Sequence, residues 1–143
     1  MLVGRFGNTS GAPYLEARVA IPRLRLTGLI SFLVDTGADG TVLMPADSRK
    51  LSINFGSLRN PSTSEGIGGT AKGYNEQMIV SFSDRKFIYS YLLDVEISAP
   101  TPHNHRFPSL LGRDILDQWR FVMEKLKGKV VFTPRTWDLR QKI

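Results

Sequence analysis

The chain has 143 residues, 41% of them hydrophobic, which is enough to bury the core of one ordinary domain. It has no cysteine, and this excludes disulfides, zinc–thiolate sites and a cysteine nucleophile. Nineteen Lys and Arg against thirteen Asp and Glu give a net charge of +6. The basic residues are scattered and no nucleic-acid-binding module accompanies them, so we interpret the charge as a solvated basic surface.

The sequence also limits where the protein is expected to work. No apolar run approaches the length that spans a bilayer, and the first ten residues lack the apolar stretch of a secretion signal. The absence of cysteine fits a reducing compartment. Together these features predict a cytoplasmic protein without membrane partners.

In chain order, residues 1–13 contain Gly and Ser and are expected to be loose. Residues 14–21 predict a first strand, which the following proline closes. Residues 24–34 predict a strand pair or hairpin with a turn near Thr27 and Gly28.

The middle of the chain predicts further short strands. One covers residues 41–44, and a proline then begins a brief helix over 45–50. A long polar segment rich in Gly, Ser and Thr follows at 59–73. Residues 74–82 and 86–95 are predicted strands joined by a polar turn.

The last third predicts one short helix and a hairpin. Apolar residues at helical spacing indicate a helix over 113–119. Two apolar runs, 121–123 and 130–132, flank a Lys-Gly turn. With no repeat or domain boundary, the sequence predicts one mostly β domain over 1–143, in which 134–143 is a C-terminal extension.

The most informative motif is Asp35-Thr36-Gly37-Ala38-Asp39, between the apolar runs 31–34 and 41–43. It puts a carboxylate at the end of a buried strand, a position suited to acid–base chemistry. Peptide hydrolysis by carboxylates normally uses two of them, and this motif occurs once. Because the motif occurs only once in the sequence, we predict that a second chain supplies the other carboxylate.

Two later segments strengthen this interpretation: Gly66-Ile67-Gly68-Gly69, and Leu110-Leu111-Gly112-Arg113-Asp114. With the Asp35 motif, their order and spacing over residues 14–133 resemble the retropepsins, the homodimeric aspartic proteases of retroviruses, and their cellular and bacterial relatives. The resemblance implies an all-β fold, a closed β domain with one short C-terminal helix. It also implies an active site at the homodimer interface that needs no cofactor and no metal.

The resemblance further implies roles for the residues of the first motif. Asp35 from each chain would form the catalytic pair, and the Thr36 hydroxyl would bond to the backbone of the partner. Gly37 would let substrate backbone approach closely. Asp39 and Arg113 would form an ion pair that supports the active-site turn, with Arg113 gripping the carboxylate through two parallel hydrogen bonds.

The substrate cleft is implied in the same way. The glycine-rich segment would be the tip of a flap, and apolar side chains would form pockets that prefer hydrophobic residues beside the cut. The implied substrate-binding residues are Leu33, Ala38, Asp39, Val42, Gly66, Ile67, Gly68, Phe107, Pro108 and Leu110. For Leu33 and Val42, membership of the hydrophobic core is an equal alternative.

The sequence also allows three other interpretations. His103 and His105 invite a metal site, but suitably spaced carboxylates are absent nearby. A catalytically silent peptide-binding module on the same fold remains the alternative to a peptidase. Nucleic-acid binding rests on the charge alone.

For the homodimer, residues 129–143 are expected to interleave with the partner's termini, as in retroviral enzymes.

Overall fold

The computed structural model describes residues 1–66 and 69–143, which form mostly β-structure. The strands are β1 (Leu2–Val3), β2 (Arg5–Phe6), β3 (Pro13–Ile21), β4 (Leu26–Val34), β5 (Val42–Leu43), β6 (Pro61–Gly66), β7 (Gly69–Ser83), β8 (Phe87–Ser98), β9 (Leu110–Leu111), β10 (Trp119–Glu124), β11 (Lys129–Pro134) and β12 (Leu139–Lys142). The helices are α1 (Pro45–Lys50) and α2 (Arg113–Leu116), with 3-10 turns at Pro22–Leu24, Phe55–Ser57 and Lys125–Lys127. Within the described ranges, no helix has the length and apolarity to cross a membrane.

The larger sheet closes on itself. Its strands follow the order β12-β8-β5-β9-β4-β3-β7-β6, and the long antiparallel pairing of β7 with β8, the strands next to the two ends, closes it into a barrel. On β3, Leu15, Val19 and Ile21 are buried and alternate with exposed residues, as expected for a strand with one face on the core. The mostly β, closed domain predicted from the sequence is therefore confirmed.

A second sheet is built from the two ends of the chain, in the order β1-β11-β10. Leu2 lies opposite Phe132 and is buried, so the opening segment, expected to be loose, is tied to the core at its start. Interleaving with a partner, expected for residues 129–143, has no free strand edge at β11. Both edges of β11 are already paired within this chain, and β12 pairs with β8.

The C-terminal extension is held onto the barrel by aromatic side chains. The Tyr91 hydroxyl accepts a hydrogen bond from Trp119 Nε1 at 2.7 Å and donates to the Thr136 carbonyl at 2.8 Å. Burial raises the pKa of Tyr91 to about 12, which keeps the hydroxyl protonated as a donor. Trp137 packs on Tyr89 with their ring centroids 5.4 Å apart. The tail is thus a packed part of one chain.

The predicted turn near Thr27 and Gly28 was wrong for a physical reason. Thr27 and Gly28 lie inside β4, and the reversal lies earlier, at Pro22–Leu24, where Arg25 takes a φ of 54°. A Cβ on Gly28 would lie 2.5 Å from Leu51 Cδ2, so this glycine serves packing rather than a turn.

The helices followed the sequence more closely. The predicted helix over 45–50 is present as α1. The helix predicted over 113–119 ends at Leu116, because Trp119 already pairs with Pro134 at the start of β10.

Candidate active site

The end of β4 fixes the position of Asp35. β4 runs parallel to β9, with Leu33 opposite Leu110 and Val34 opposite Leu111. The ladder continues one step further, because the Asp35 N–H donates to the Leu111 carbonyl at 3.0 Å. The carboxylate-bearing residue is therefore anchored by backbone hydrogen bonds to the β9 segment, far away in sequence.

The Asp35 carboxylate is oriented by the turn that follows it. Its Oδ1 accepts a hydrogen bond from the Gly37 N–H at 2.9 Å, and its carbonyl accepts one from the Ala38 N–H at 3.2 Å. A Cβ on Gly37 would lie 3.2 Å from Asp35 Oδ1, which is tighter than most contacts. The turn thus needs a small residue at position 37 to hold the carboxylate where it is.

The outer side of this turn is open. Thr36 and Gly37 are exposed, and Asp35 itself is only half-buried. Within residues 1–66 and 69–143, no group forms a hydrogen bond with the Thr36 hydroxyl. The outer side of the motif is consequently available to another molecule.

The underside of the same loop is closed by a buried hydrogen-bond cluster. Thr41 is 1% exposed; its N–H donates to Asp114 Oδ2 at 3.0 Å and its hydroxyl to Asp114 Oδ1 at 2.7 Å. The Gly112 N–H donates to the Thr41 hydroxyl at 3.2 Å. A Cβ on Gly112 would lie 2.4 Å from the backbone carbon and oxygen of Gly40, so only glycine fits there. The cluster fastens the active-site loop to the start of α2.

Arg113 adds a second link between this helix and the turn. Its Nη1 donates to the Thr36 carbonyl at 3.0 Å, its Nη2 pairs with Asp39 Oδ1, and its backbone N–H donates to the Ala38 carbonyl at 2.9 Å. The ion pair expected between Asp39 and Arg113 is present. The expected two-pronged grip on the carboxylate is not, because the guanidinium divides its donors between a carboxylate and a carbonyl.

An apolar row lies beside the motif. Leu33 on β4, Leu110 on β9 and Val42 on β5 are neighbours in register, so their side chains share one face of the sheet. All three are half-buried and none belongs to the buried core cluster. The register therefore brings together three of the expected pocket residues, and their exposure favours a surface row over the core alternative.

The remaining expected substrate residues are less closely placed. Pro108 is half-buried and Phe107 is 53% exposed in the loop before β9. β6 and β7 form the hairpin expected for the flap, with paired positions running out to Gly66 and Gly69. The predictions for Ile67 and Gly68 lie outside the described residues.

One structural group at the site was missed by the sequence analysis. Ser109 is fully buried; its hydroxyl donates to Asp47 Oδ2 at 2.6 Å and accepts from the Met44 N–H at 2.9 Å. Its carbonyl accepts from the Leu33 N–H at 2.8 Å. A polar residue between Pro108 and Leu110 was the available signal, since buried hydroxyls are normally hydrogen-bonded.

Comparisons with known proteins identify the fold and the family of this chain. The solved structures similar to the chain include a retropepsin-like aspartic protease from Rickettsia conorii, with a TM-score of 0.58, 19% identity, and coverage of 93% of this chain and 97% of that one. They also include the EIAV protease complexed with the inhibitor HBY-793, with a TM-score of 0.52, 20% identity, and coverage of 87% and 97%. A search of curated proteins gives no significant match. The family model for the retroviral aspartyl protease matches residues 9–124, and the chain therefore belongs to that family, as the sequence predicted.

Proposed function

We propose that the protein is a homodimeric aspartic endopeptidase whose active site combines Asp35 from two copies. The observation that carries the proposal is the two-sided site loop. Its underside is hydrogen-bonded and buried within one chain, while Thr36 and Gly37 are exposed and Asp35 is half-buried. Acid–base peptide hydrolysis needs two carboxylates, and one chain brings one of these motifs.

In the proposed mechanism the two carboxylates share one proton, because two carboxyl groups about 3 Å apart cannot both be ionised. The charged carboxylate takes a proton from a water molecule as that water attacks the peptide carbonyl. The protonated carboxylate donates to the carbonyl oxygen and stabilises the tetrahedral intermediate. Thr36 supports the pair by donating its hydroxyl to the second copy, and Gly37 leaves room for substrate backbone.

The substrate class follows from the apolar row beside Asp35. Leu33, Val42 and Leu110 offer three half-buried aliphatic side chains on one face. Covering them with an apolar substrate side chain removes hydrocarbon surface from water, which favours binding by about 25 cal/mol per Å². We therefore expect cleavage next to hydrophobic residues.

The proposal is tested by assaying cleavage of a peptide library by the wild-type protein and by Asp35→Asn. We expect the variant to lose at least about a hundredfold in kcat/KM, since the paired acid and base are both disrupted. Asp94→Asn, which changes an exposed aspartate on β8, is the matched control and should retain full activity. Equal turnover by Asp35→Asn would contradict the mechanism, and tight peptide binding without turnover in the wild type would favour the silent binding module.

A further inference from the structure

The C-terminal strand β12 forms an open edge of the larger sheet. It stands at one end of the strand order, and within the described ranges no strand pairs with its outer side. All of its residues are exposed, and it lies in the C-terminal extension, outside the residues that the family model matches. A free edge presents a row of unpaired backbone N–H and C=O groups, which is a template for another strand.

The ladder between β12 and β8 determines which backbone groups face this open edge. The Ile143 N–H donates to the Lys86 carbonyl, just before β8, at 2.8 Å. In an antiparallel pair every second residue bonds to the same neighbour, so Gln141 also faces β8. The backbone N–H and C=O groups of Arg140 and Lys142 therefore face outwards, where a further strand can reach them.

The side chains of these two residues are cations without an acidic partner. Across residues 1–66 and 69–143, neither Arg140 nor Lys142 forms an ion pair or a side-chain hydrogen bond. Asp138 is the only acidic residue in the extension, and its Oδ2 accepts a hydrogen bond from the Leu92 N–H of β8 at 2.7 Å. The open edge is thus positively charged.

Two aromatic rings hold Arg140 in place. Its guanidinium carbon lies 4.3 Å from the ring centroid of Phe87 and 4.6 Å from that of Trp137. Trp137 in turn packs on Tyr89. Cation–π contacts use the faces of the rings and none of the five N–H donors of the guanidinium. Those donors remain available to a carboxylate, which they can bind through two parallel hydrogen bonds.

We infer that β12 binds an extended acidic segment of another protein, which joins the sheet as an antiparallel strand. Acidic residues of the segment lie opposite Arg140 and Lys142, because directly opposed charges of opposite sign stabilise a cross-strand pair. The residues between them share the other face with Leu139, which is 52% exposed, and apolar side chains there cover it. Backbone hydrogen bonds supply affinity, and the alternation supplies specificity.

A second copy of β12 fits this edge poorly. Antiparallel pairing centred on Gln141 sets Arg140 opposite Lys142 twice. Pairing centred on either cation sets that cation opposite its own copy. Like charges directly opposite each other are destabilising, so the same residues that favour an acidic strand oppose self-pairing at this edge.

The β12 edge is separate from the candidate active site. β12 pairs with residues 87–90 of β8, whereas β5, which carries Val42 of the apolar row, pairs with Glu96 and Ile97. Ser90 and Glu96 are roughly 20 Å apart along an extended strand. The inference therefore goes beyond the proposed function and does not rest on it.

The charge pattern gives the first test. The probe is a fluorescein-labelled peptide of four Glu-Val repeats, and its Kd is measured by fluorescence anisotropy in an Asp35→Asn background, so that turnover does not consume it. Arg140→Glu should raise the Kd at least about tenfold, since it sets a carboxylate against those of the probe. Arg18→Glu, an equal charge change at an exposed position on β3, is the matched control and should stay within about twofold.

The backbone of the probe gives the second test. In an antiparallel pair, residues opposite Arg140 and Lys142 direct their own N–H groups towards β12, so these are the glutamate N–H groups. N-methylation of the glutamate amides should weaken binding at least about tenfold, whereas N-methylation of the valine amides should change it by no more than about threefold. Equal loss with both peptides overturns strand pairing.

Amide hydrogen exchange of the protein, followed by NMR, gives the third test. The N–H groups of Arg140 and Lys142 face the open edge, so bound probe should slow their exchange at least about tenfold. The Ile143 N–H already bonds to β8 and should change much less. Probe binding without added protection at 140 and 142 overturns the inference.

The remaining outcomes separate this inference from the alternatives. Equal loss of probe binding in Arg140→Glu and Arg18→Glu overturns it in favour of attraction by net charge. A single-stranded oligonucleotide whose binding Arg140→Glu abolishes, with no binding of the probe, overturns it in favour of a nucleic-acid surface. Wild-type protein that cleaves peptides in the absence of any probe binding by the Asp35→Asn protein overturns this inference alone, and selective probe binding without peptidase activity leaves it standing.

Discussion

The two sides of the active-site loop are built in opposite ways. On the inner side, Thr41 and Asp114 are joined by two hydrogen bonds, and Gly112 packs directly on backbone. On the outer side, Asp35 is half-buried and the Thr36 hydroxyl has no partner among the described residues. Under the proposed function, the difference separates two tasks: one chain completes the scaffold, and the outer face is left for a second copy and a substrate.

This comparison predicts that substitutions on the inner side lower stability, whereas substitutions on the outer side lower activity and leave stability nearly unchanged. Buried groups that lose partners cost free energy of folding, while exposed polar groups contribute little to it. The predictions below run from the largest expected effect to the smallest.

Gly112→Ala is expected to give the largest effect. The new Cβ would meet the backbone carbon and oxygen of Gly40 at 2.4 Å, and backbone cannot rotate away as a side chain can. We expect a loss of at least about 3 kcal/mol in the free energy of unfolding, measured by urea denaturation. Gly40→Ala is the control, because its Cβ would lie 3.8 Å from Asp114 Oδ2; an equal loss there would contradict the steric argument.

Thr41→Val is expected to give the next largest effect. Valine keeps the shape but removes the hydroxyl that donates to Asp114 and accepts from Gly112, so the half-buried carboxylate and the buried N–H both lose this partner. We expect a loss of about 1–3 kcal/mol in unfolding free energy. Thr41→Ser retains the hydroxyl and should recover most of it. If the serine variant is as unstable as the valine variant, the hydrogen bonds are not the cause.

Arg113→Lys tests the boundary between the two sides. Lysine cannot reach the Thr36 carbonyl and Asp39 with two fixed donors, so the turn should loosen. Stability should fall by no more than about 1 kcal/mol, because Asp39 is 93% exposed. Activity should fall more steeply, by about tenfold in kcat/KM. A variant that loses stability and keeps its activity would contradict this prediction, because Arg113 would then behave like the inner-side residues.

Asp84 lies far from the Asp35 motif in the sequence, and its carboxylate gives a prediction about stability and pH that does not involve the candidate site. Burial opposes ionisation of this carboxylate, but the backbone N–H groups of Lys86 and Phe87 donate to it and lower its pKa. A depressed folded-state pKa adds stability that is present above the unfolded value of about 3.9 and is lost as the pH falls through the folded value. Asp84→Asn should therefore cost up to about 1 kcal/mol at pH 7, and the difference should shrink in acid. A difference that grows in acid would contradict this sign.

Much of the fold could be read from the sequence, because strand alternation and turn residues are local signals. The helix at 45–50 and the position of the Asp35 motif directly after β4 follow from them. The position of Gly28 inside a strand could not be read, since it depends on Leu51 packing from elsewhere in the chain. The intrachain pairing of β11 on both edges was missed for the same reason: partner choice is a long-range property.

Some features of the candidate site could likewise be predicted from the sequence, and others could not. Asp35, Thr36 and Gly37 are adjacent in sequence, so their motif is visible at once. The links from Thr41 to Asp114 and from Ser109 to Asp47 join residues more than 60 positions apart, and a single sequence gives no sign of their pairing. The row formed by Leu33, Val42 and Leu110 likewise needs the register of three strands.

The central claim is that one active site needs two copies of Asp35, and subunit mixing tests it most directly. Wild-type protein and Asp35→Asn are mixed in equal amounts at constant total concentration, allowed to exchange, and assayed for peptide cleavage. If only wild-type pairs are active, the rate falls to about one quarter of that of the unmixed wild type, because such pairs form as the square of their fraction. A rate of about one half, in proportion to the wild-type protein present, would mean that each chain works alone and would contradict the account.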